Sequence, residues 1–378
     1  MQNSKDTVCM HNMCNGCMAC ITACKKKAIT IKDDLKAYNA YIDTDKCVNC
    51  GLCEKVCPRN TKVATTVPIK WGQGWANDEE ERGKSSSGGY ATAIMKAFSH
   101  NDCYVVSCSF ENGIFGFSVA NTPDECNKFR GSKYVKSNPI KAYNLVLNLL
   151  RDEKKVLFLG LPCQVAGIKN YIPHKFQKNL YTIDLICHGT PSPAMLERYF
   201  SESFNINLCD LKNVTFRSNT KFSLYEQGKK IVPERVQDRY TLAFLDSLDY
   251  TENCYNCEYA TTYRVSDLSL GDSWNSDLPK DEESRGISLV LCQTEKGEYL
   301  LSIADIFITD VNEKLAIAGN RQLRSPSERP LQRNSFFDNL KKGKSFSDAV
   351  LLAFPKVCIK QDVKAILIKL KVLRGGGK

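Results

Sequence analysis

Two runs of cysteine share one spacing. Cys14, Cys17, Cys20 and Cys24 are set as C-x2-C-x2-C-x3-C, and Cys47, Cys50, Cys53 and Cys57 repeat the pattern with every member displaced by 33 positions. Such a frame constrains a chain more than helix or strand propensity does, because closely spaced thiols that serve one centre force the backbone into a tight turn around it. The whole chain has 19 cysteines, nine of them before residue 60. Met1 to Thr7 is polar and lacks the apolar stretch of a secretory signal, and no apolar run approaches the roughly 18–20 residues of a membrane helix. A soluble, cytoplasmic protein is therefore expected. In that compartment thiols stay reduced, which disfavours disulfides and leaves metal ligands or core residues.

The spacing is that of bacterial ferredoxins, where three close cysteines grip three corners of a cubane and the fourth of each run ligates the other cluster. Pro58 after the second run fits the same signature. Cys14, Cys17, Cys20 and Cys57 are thus assigned to one 4Fe-4S cluster, and Cys47, Cys50, Cys53 and Cys24 to a second. Zinc also takes paired cysteines, but eight thiols in two quadruplets are better explained by clusters. The crossed fourth ligands weld residues 1–62 into a small α+β ferredoxin-like head whose stability depends on metal. Ala28–Ile31 and Tyr41–Asp43 alternate as its short strands. Cys9 falls outside the frame and reads as a bystander. Lys25 stands where the first run often has proline.

Residues 63–345 read as a larger α/β body, in parts of about 70–150 and 151–330. A linker runs through Pro68, Gly72 and Gly74, then a charged stretch from Asp78 to Lys84. Ala91–Phe98 and Ala142–Leu150 have helical periodicity. Tyr104–Phe110, Val156–Leu159, Ile183–Ile186 and Ser288–Cys292 read as strands, and such alternation favours α/β. No Gly-x-Gly-x-x-Gly follows a strand, which excludes the usual dinucleotide fingerprint.

Two segments could meet an anion. Lys84, Ser85, Ser86, Ser87, Gly88 and Gly89 stand directly before a helix, where free N–H groups, hydroxyls and the dipole favour negative charge, although serine there is equally an ordinary cap. Arg130, Gly131, Ser132, Lys133 and Tyr134 offer two cations, a glycine and an aromatic, or simply a surface turn. Cys163, Cys187 and the pair Cys254 and Cys257 sit in loops near strands. A lone C-x2-C serves a redox dithiol or half a zinc site, and these four thiols could also close one site from three loops. Cys103, Cys108, Cys126, Cys209, Cys292 and Cys358 read as buried structural thiols.

In order, the chain shows Ser85-Ser86-Ser87-Gly88-Gly89, Gly131-Ser132-Lys133-Tyr134-Val135, the run from Gly160 to Gly167, and the run from Asp184 to Pro193. Cys254-x2-Cys257, Arg264, Asp267 and Leu270-Gly271-Asp272-Ser273-Trp274 follow. This series resembles the beta-subunit family of coenzyme F-420 hydrogenases and dehydrogenases, over about residues 70–330, here behind a two-cluster head. The resemblance implies an oxidoreductase with a flavin-binding body. FAD would be lined by Lys84 to Gly89 and by Gly131 to Tyr134. A third 4Fe-4S cluster would fall to Cys163, Cys187, Cys254 and Cys257, and coenzyme F-420 would be the hydride substrate. Electrons would pass in pairs between a hydride carrier and FAD, and singly through the clusters to a redox partner protein. The resemblance implies no general acid or base, and Asp184 and His188 would support the ligand Cys187. Lys136, Leu161, Ser273 and Asn275 depart from the family pattern and leave the hydride partner open. A second reading, an electron-transfer adaptor without hydride chemistry, also stays open.

Charge limits the partners. The head carries +4, residues 63–340 carry −2, and residues 341–378 carry +8 of the total +10. A near-neutral middle offers no face for nucleic acid. Each cubane with four thiolates brings about −2 of its own, so three clusters lower the total to about +4 and make the positive head a counter-charge to its cargo. The tail, residues 346–378, has Val363, Ile366, Leu367, Leu370 and Leu373 at helical spacing among Lys360, Lys364, Lys371 and Arg374. Such a basic amphipathic helix either lies on an anionic membrane surface or docks on the body. Gly375 to Gly377 would end it as a flexible stub.

Overall fold

The computed structural model describes residues 6–100, 102–218 and 220–372; Leu373, Arg374 and Gly375 to Gly377 lie outside them. In the head, helix α1 (Ala19–Ala23), the hairpin β1 (Ile29–Asp33) and β2 (Tyr38–Ile42), and helix α2 (Leu52–Val56) follow one another. The duplication seen in the cysteines is repeated in the backbone. Gly16 and Asn49, 33 positions apart, have φ of 67° and 54°, and Met18 and Gly51 have 64° and 72°. These left-handed residues turn the chain around each group of thiols.

The body is built on one eight-stranded sheet of order β13-β3-β12-β11-β7-β6-β4-β5. Its strands are β3 (Lys70–Ala76), β4 (Cys103–Glu111), β5 (Ile114–Ala120), β6 (Lys155–Gly160), β7 (Leu180–Leu185), β11 (Leu268–Asp272), β12 (Ser288–Cys292) and β13 (Ile306–Asp310). The strands β4, β6, β7 and β11 run parallel at its centre. Central strands of this kind are buried on both faces. Accordingly Val156 and Phe158 of β6 point into one core, and Leu157 and Leu159 into the opposite one. The first core also contains helices α5 (Ile140–Arg151) and α6 (Pro162–Tyr171), together with the head, whose α1 rests on both helices. The second contains α4 (Tyr90–Phe98), which follows the short helix α3 (Glu79–Lys84).

A third core lies beside the sheet. It joins helix α7 (Pro193–Phe204), a small sheet of β8 (Val214–Ser218), β9 (Lys221–Glu226) and β10 (Lys229–Lys230), helix α8 (Arg239–Leu245), and the C-terminal helices Arg333–Lys341 and Phe346–Ala353. Phe346, Ala349 and Val350 recur at helical spacing and are fully buried, so the start of the region read as a tail belongs to this core.

Three expectations change here. The stretch read as a linker is strand β3, paired with β12 and β13. Its glycines are packing positions: a Cβ on Gly72 would meet Ile308 at 2.8 Å. Among the six cysteines read as buried, Cys209 is exposed and Cys103 and Cys108 are only half-buried. The last described helix, Pro355–Lys369, buries Cys358 and is held by the Arg239–Asp362 ion pair, while Val363, Ile366 and Leu370 remain exposed. No helix among the described residues is long and apolar enough to cross a membrane.

Candidate redox centre

The parallel sheet brings the body thiols together. In open α/β sheets ligands collect beyond the carboxyl ends of the strands. Gly160 of β6 and Asp184 of β7 are paired in register, and a cysteine follows each after three residues. Cys163 and Cys187 therefore emerge side by side. The 3-10 turn Glu252–Asn256 brings Cys254 and Cys257 to the same place. It is tied there by the Thr251 N–H donating to the Thr190 carbonyl oxygen at 3.0 Å. All four thiols line one small cavity.

Behind this cavity lies a fully buried ion pair. Arg264 donates to Asp184 Oδ1 through Nη2 at 2.6 Å and Nε at 3.2 Å. It also donates to the carbonyl oxygens of Tyr259 at 2.8 Å, Thr261 at 3.3 Å and Leu185 at 3.1 Å. One guanidinium thus fixes the chain after Cys257 against the chain before Cys187. His188 faces both this cavity and the larger one described below, and burial pushes its imidazole below the usual range.

The head thiols form a second set. Cys14, Cys17, Cys20 and Cys57 line one cavity, which is the crossed assignment expected from the spacing. They are buried, whereas Cys24, Cys47 and Cys53 are half-buried and Cys50 is exposed. Backbone N–H groups point at sulfur in the same way in both runs, Gly16 N–H to Cys14 Sγ and Asn49 N–H to Cys47 Sγ, each at 3.4 Å. Cys9 is no bystander, for it lines the cavity of Cys14 and Cys57. Its thiol donates toward both, which lowers their pKa, Cys57 to about 7. The head meets the body tightly here. Tyr143 donates to the Cys17 carbonyl oxygen, and Gly167 is obligatory because a Cβ would stand 2.7 Å from Tyr143 Oη and 3.3 Å from Cys17 Sγ.

Among the described residues no three His, Cys, Asp or Glu side chains converge closely enough to hold a single metal ion. The thiols instead ring small cavities, a donor set and spacing that suit a cluster with several metal corners.

A larger cavity of about 380 Å³ adjoins the body thiols, within the range of small-molecule sites. It shares Leu161, Cys187, His188, Gly189 and Thr190 with the thiol cavity. The two segments singled out from sequence meet on its wall, joined by the Ser132 N–H donating to Ser86 Oγ at 2.8 Å. Ser85, Ser86, Ser87 and Gly89 line it, as do Gly131, Ser132, Lys133 and Tyr134. Lys133 donates to the carbonyl oxygens of Phe129, Arg130 and Gly131 at 2.7, 3.0 and 3.1 Å, and so holds its own loop closed. Gly131 has φ +83° with open space where a Cβ would be, so its backbone is accessible from the cavity.

Two of the candidate residues lie elsewhere. Lys84 ends α3, pairs with Glu80 and does not line the cavity. Gly88 packs on β12, where a Cβ would meet the Ser288 nitrogen at 2.6 Å. Arg130 is engaged by Glu81, at 2.7 Å through both Nε and Nη2. The opposite wall holds residues that sequence reasoning missed. Arg217 pairs with Asp272 at 2.6 and 2.8 Å and lies over the rings of Phe222 and Trp274, while Tyr134 stacks on Phe244 with ring centres 4.3 Å apart. These side chains come from β8, β9 and α8, and no local motif announces them.

Comparison with known proteins now bears on this arrangement. Residues 153–309 match the family model for the C-terminal region of the coenzyme F420 hydrogenase/dehydrogenase beta subunit, and residues 13–61 match a 4Fe-4S dicluster domain. The body is a beta-subunit domain of this family and the head a dicluster domain. A curated relative, one of the subunits of the F(420)H(2) dehydrogenase of Methanosarcina mazei, is 23% identical over 294 residues, covering 73% of this chain and 81% of that protein. A chain in the structure of the F420-reducing [NiFe] hydrogenase complex from Methanosarcina barkeri is 18% identical, with a TM-score of 0.47, over 68% of this chain and 89% of that one. The beta-subunit body and dicluster head together make this an iron-sulfur protein of oxidoreductase type.

Proposed function

We propose that the protein is an iron-sulfur flavoprotein passing electrons between a hydride donor or acceptor, FAD and 4Fe-4S clusters, on to a redox partner protein. Cys14, Cys17, Cys20 and Cys57 would hold one head cluster, and Cys24, Cys47, Cys50 and Cys53 the other. Cys163, Cys187, Cys254 and Cys257 would hold a third. FAD would lie in the larger cavity against Ser85, Ser86, Ser87, Gly89, Gly131, Ser132, Lys133 and Tyr134. A flavin supplies exchange of two electrons as a hydride and of one electron at a time, and the protein supplies placement and tuning.

One observation carries this reading. Three cavities stand in series with shared walls: the larger cavity and the body thiols share Cys187 to Thr190, and the body thiols and the head cavity share Asn15 and Arg59. The exposed Cys50 marks the half of the head nearest solvent as the side for a partner protein. The residues suit the groups in chemistry as well. The larger cavity pairs an aromatic wall with accessible backbone and the start of α4, and the buried Asn15 Nδ2 between the two thiol sets has no partner. Coenzyme F-420 is the hydride partner suggested by the names of the relatives, and reduced deazaflavin and nicotinamide are the donors to compare.

Anaerobically assembled protein should contain about twelve irons, matching sulfide, and one FAD per chain, with zinc at background. About eight irons and no flavin would overturn the hydride chemistry and leave the electron-transfer adaptor. A second measurement isolates the flavin site. Lys133→Met strands three carbonyl oxygens and opens the loop, at roughly 1–3 kcal/mol for a lost partner. Flavin retention should fall about tenfold or more while iron per chain is unchanged. Equal loss of both would remove Lys133 from the flavin assignment.

A further inference from the structure

A buried ammonium stands between the two inner sets of thiols. Lys136 is 3% exposed. Its Nζ donates to the Asn15 carbonyl oxygen at 3.2 Å and lies 5.4 Å from the centre of the Tyr38 ring, and among the described residues no carboxylate pairs with it. Removing a charge from water without a counter-charge is costly. The anionic groups within reach are thiolates. Lys136 lines the cavity of Cys163, Cys187, Cys254 and Cys257, and its charge acts on Cys163 and also on Cys14 of the head.

The fold makes room for it at the cost of a special residue. Gly16, between Cys14 and Cys17, has φ +67°, and a Cβ there would stand 2.8 Å from Lys136 Cδ and 2.9 Å from the Tyr38 ring. Asn15 completes the junction. It lines both thiol cavities, and its side-chain oxygen accepts from Asn253 Nδ2 at 3.3 Å. Arg59 also lines both cavities, but Glu258 balances it at 3.6 Å. Lys136 is thus the cation at this junction whose charge the protein itself leaves uncompensated.

We propose that Lys136 is a positioning residue that raises the reduction potentials of the two clusters flanking it, those of Cys163, Cys187, Cys254 and Cys257 and of Cys14, Cys17, Cys20 and Cys57. The inference rests on the cluster assignments above. Reduction adds one electron and one negative charge to a cluster, and a nearby cation in a poorly solvated site favours the more negative form. The cluster of Cys24, Cys47, Cys50 and Cys53, partly open to solvent, should feel it least.

The test is an anaerobic dithionite titration of the assembled full chain, followed by electron paramagnetic resonance, with iron counted in every sample. In Lys136→Met the reduction equilibrium constants of the two flanking clusters should fall on the order of tenfold, about 59 mV for a one-electron couple. Lys136→Gln, neutral but able to keep the bond to Asn15, should behave like Lys136→Met, and Lys136→Arg should restore the wild-type values. Unchanged potentials in the neutral variants at full iron content would overturn the proposal. So would an equal shift in Lys136→Arg, which would signal altered packing. Iron loss from both neutral variants would overturn it too, since the ammonium would then serve assembly. If wild-type protein holds only about eight irons, the third-cluster assignment fails separately, and the shift of the inner head cluster against the outer one still decides the role of Lys136.

Discussion

Arg264→Met should destabilise the protein by about 3–5 kcal/mol, the cost of breaking a buried pair by removing one partner, and should lower the iron content by about four per chain. The two effects have separate causes. Asp184 is 0% exposed and its Oδ2 already lacks a partner; without the guanidinium its whole carboxyl group is buried without a counter-charge. The iron loss follows from the other bonds. Arg264 ties Tyr259 and Thr261, just after Cys257, to Leu185, just before Cys187. Releasing those carbonyl oxygens frees the loop that carries two thiols from the strand end that carries a third.

A double variant distinguishes these causes. Asp184→Leu with Arg264→Met removes the stranded charge, and apolar replacement of a buried pair is often neutral or stabilising. Thermal unfolding should therefore return toward the wild-type midpoint while iron stays low. Recovery of both would show that the pair contributes stability alone, and the loop would then be held by its backbone contacts.

What could be read from the sequence was what depends on neighbours along the chain. The head was legible because each cubane takes three ligands from one short run, and the repeat of 33 positions carries even the left-handed residues Gly16 and Asn49 with it. Strand β12 was found at Ser288–Cys292 because a strand buried on both faces is a short apolar run. Strand β3 was missed for the opposite reason. Gly72 and Gly74 look like a loop until the side chains of β13 are seen against them. The body thiols gave only a weak signal, since their meeting depends on the parallel register of β6 with β7. Arg217, Phe222 and Phe244 gave none. Their place on the cavity wall is a product of how the small sheet and α8 stand beside the main sheet. Lys84 shows the limit of a local motif, because one more turn of α3 carries its side chain back to Glu80 and away from the serines that follow.

Asp249→Asn should stabilise the protein at pH 8 and leave it nearly unchanged near pH 4. Asp249 is fully buried, and neither carboxyl oxygen has a hydrogen-bond partner. Burial raises its pKa to about 7, against the weaker opposing influence of its own backbone N–H and the charge of Arg333. In the unfolded chain an aspartate titrates near 3.9. Below about pH 4 the group is protonated in both states and contributes nothing. Between about 4 and 7 the folded protein keeps the proton and the unfolded chain releases it, so stability falls as pH rises. Above about 7 the folded group also ionises and the loss is complete, on the order of 4 kcal/mol for a shift of about three units. Asparagine has the same shape and no charge to release, so this part of the decline disappears. Its amide must also be buried, a cost that does not vary with pH, so the diagnostic quantity is the change in the mutant-minus-wild-type difference between pH 5 and pH 8. A difference that stays constant would refute the assignment. The position also matters to the site, because Asp249 precedes Tyr250, which lines the larger cavity beside Gly189 and pairs through its backbone with Pro191. An ionised Asp249 therefore puts the strain of an unsolvated charge at the segment that separates the larger cavity from the body thiols.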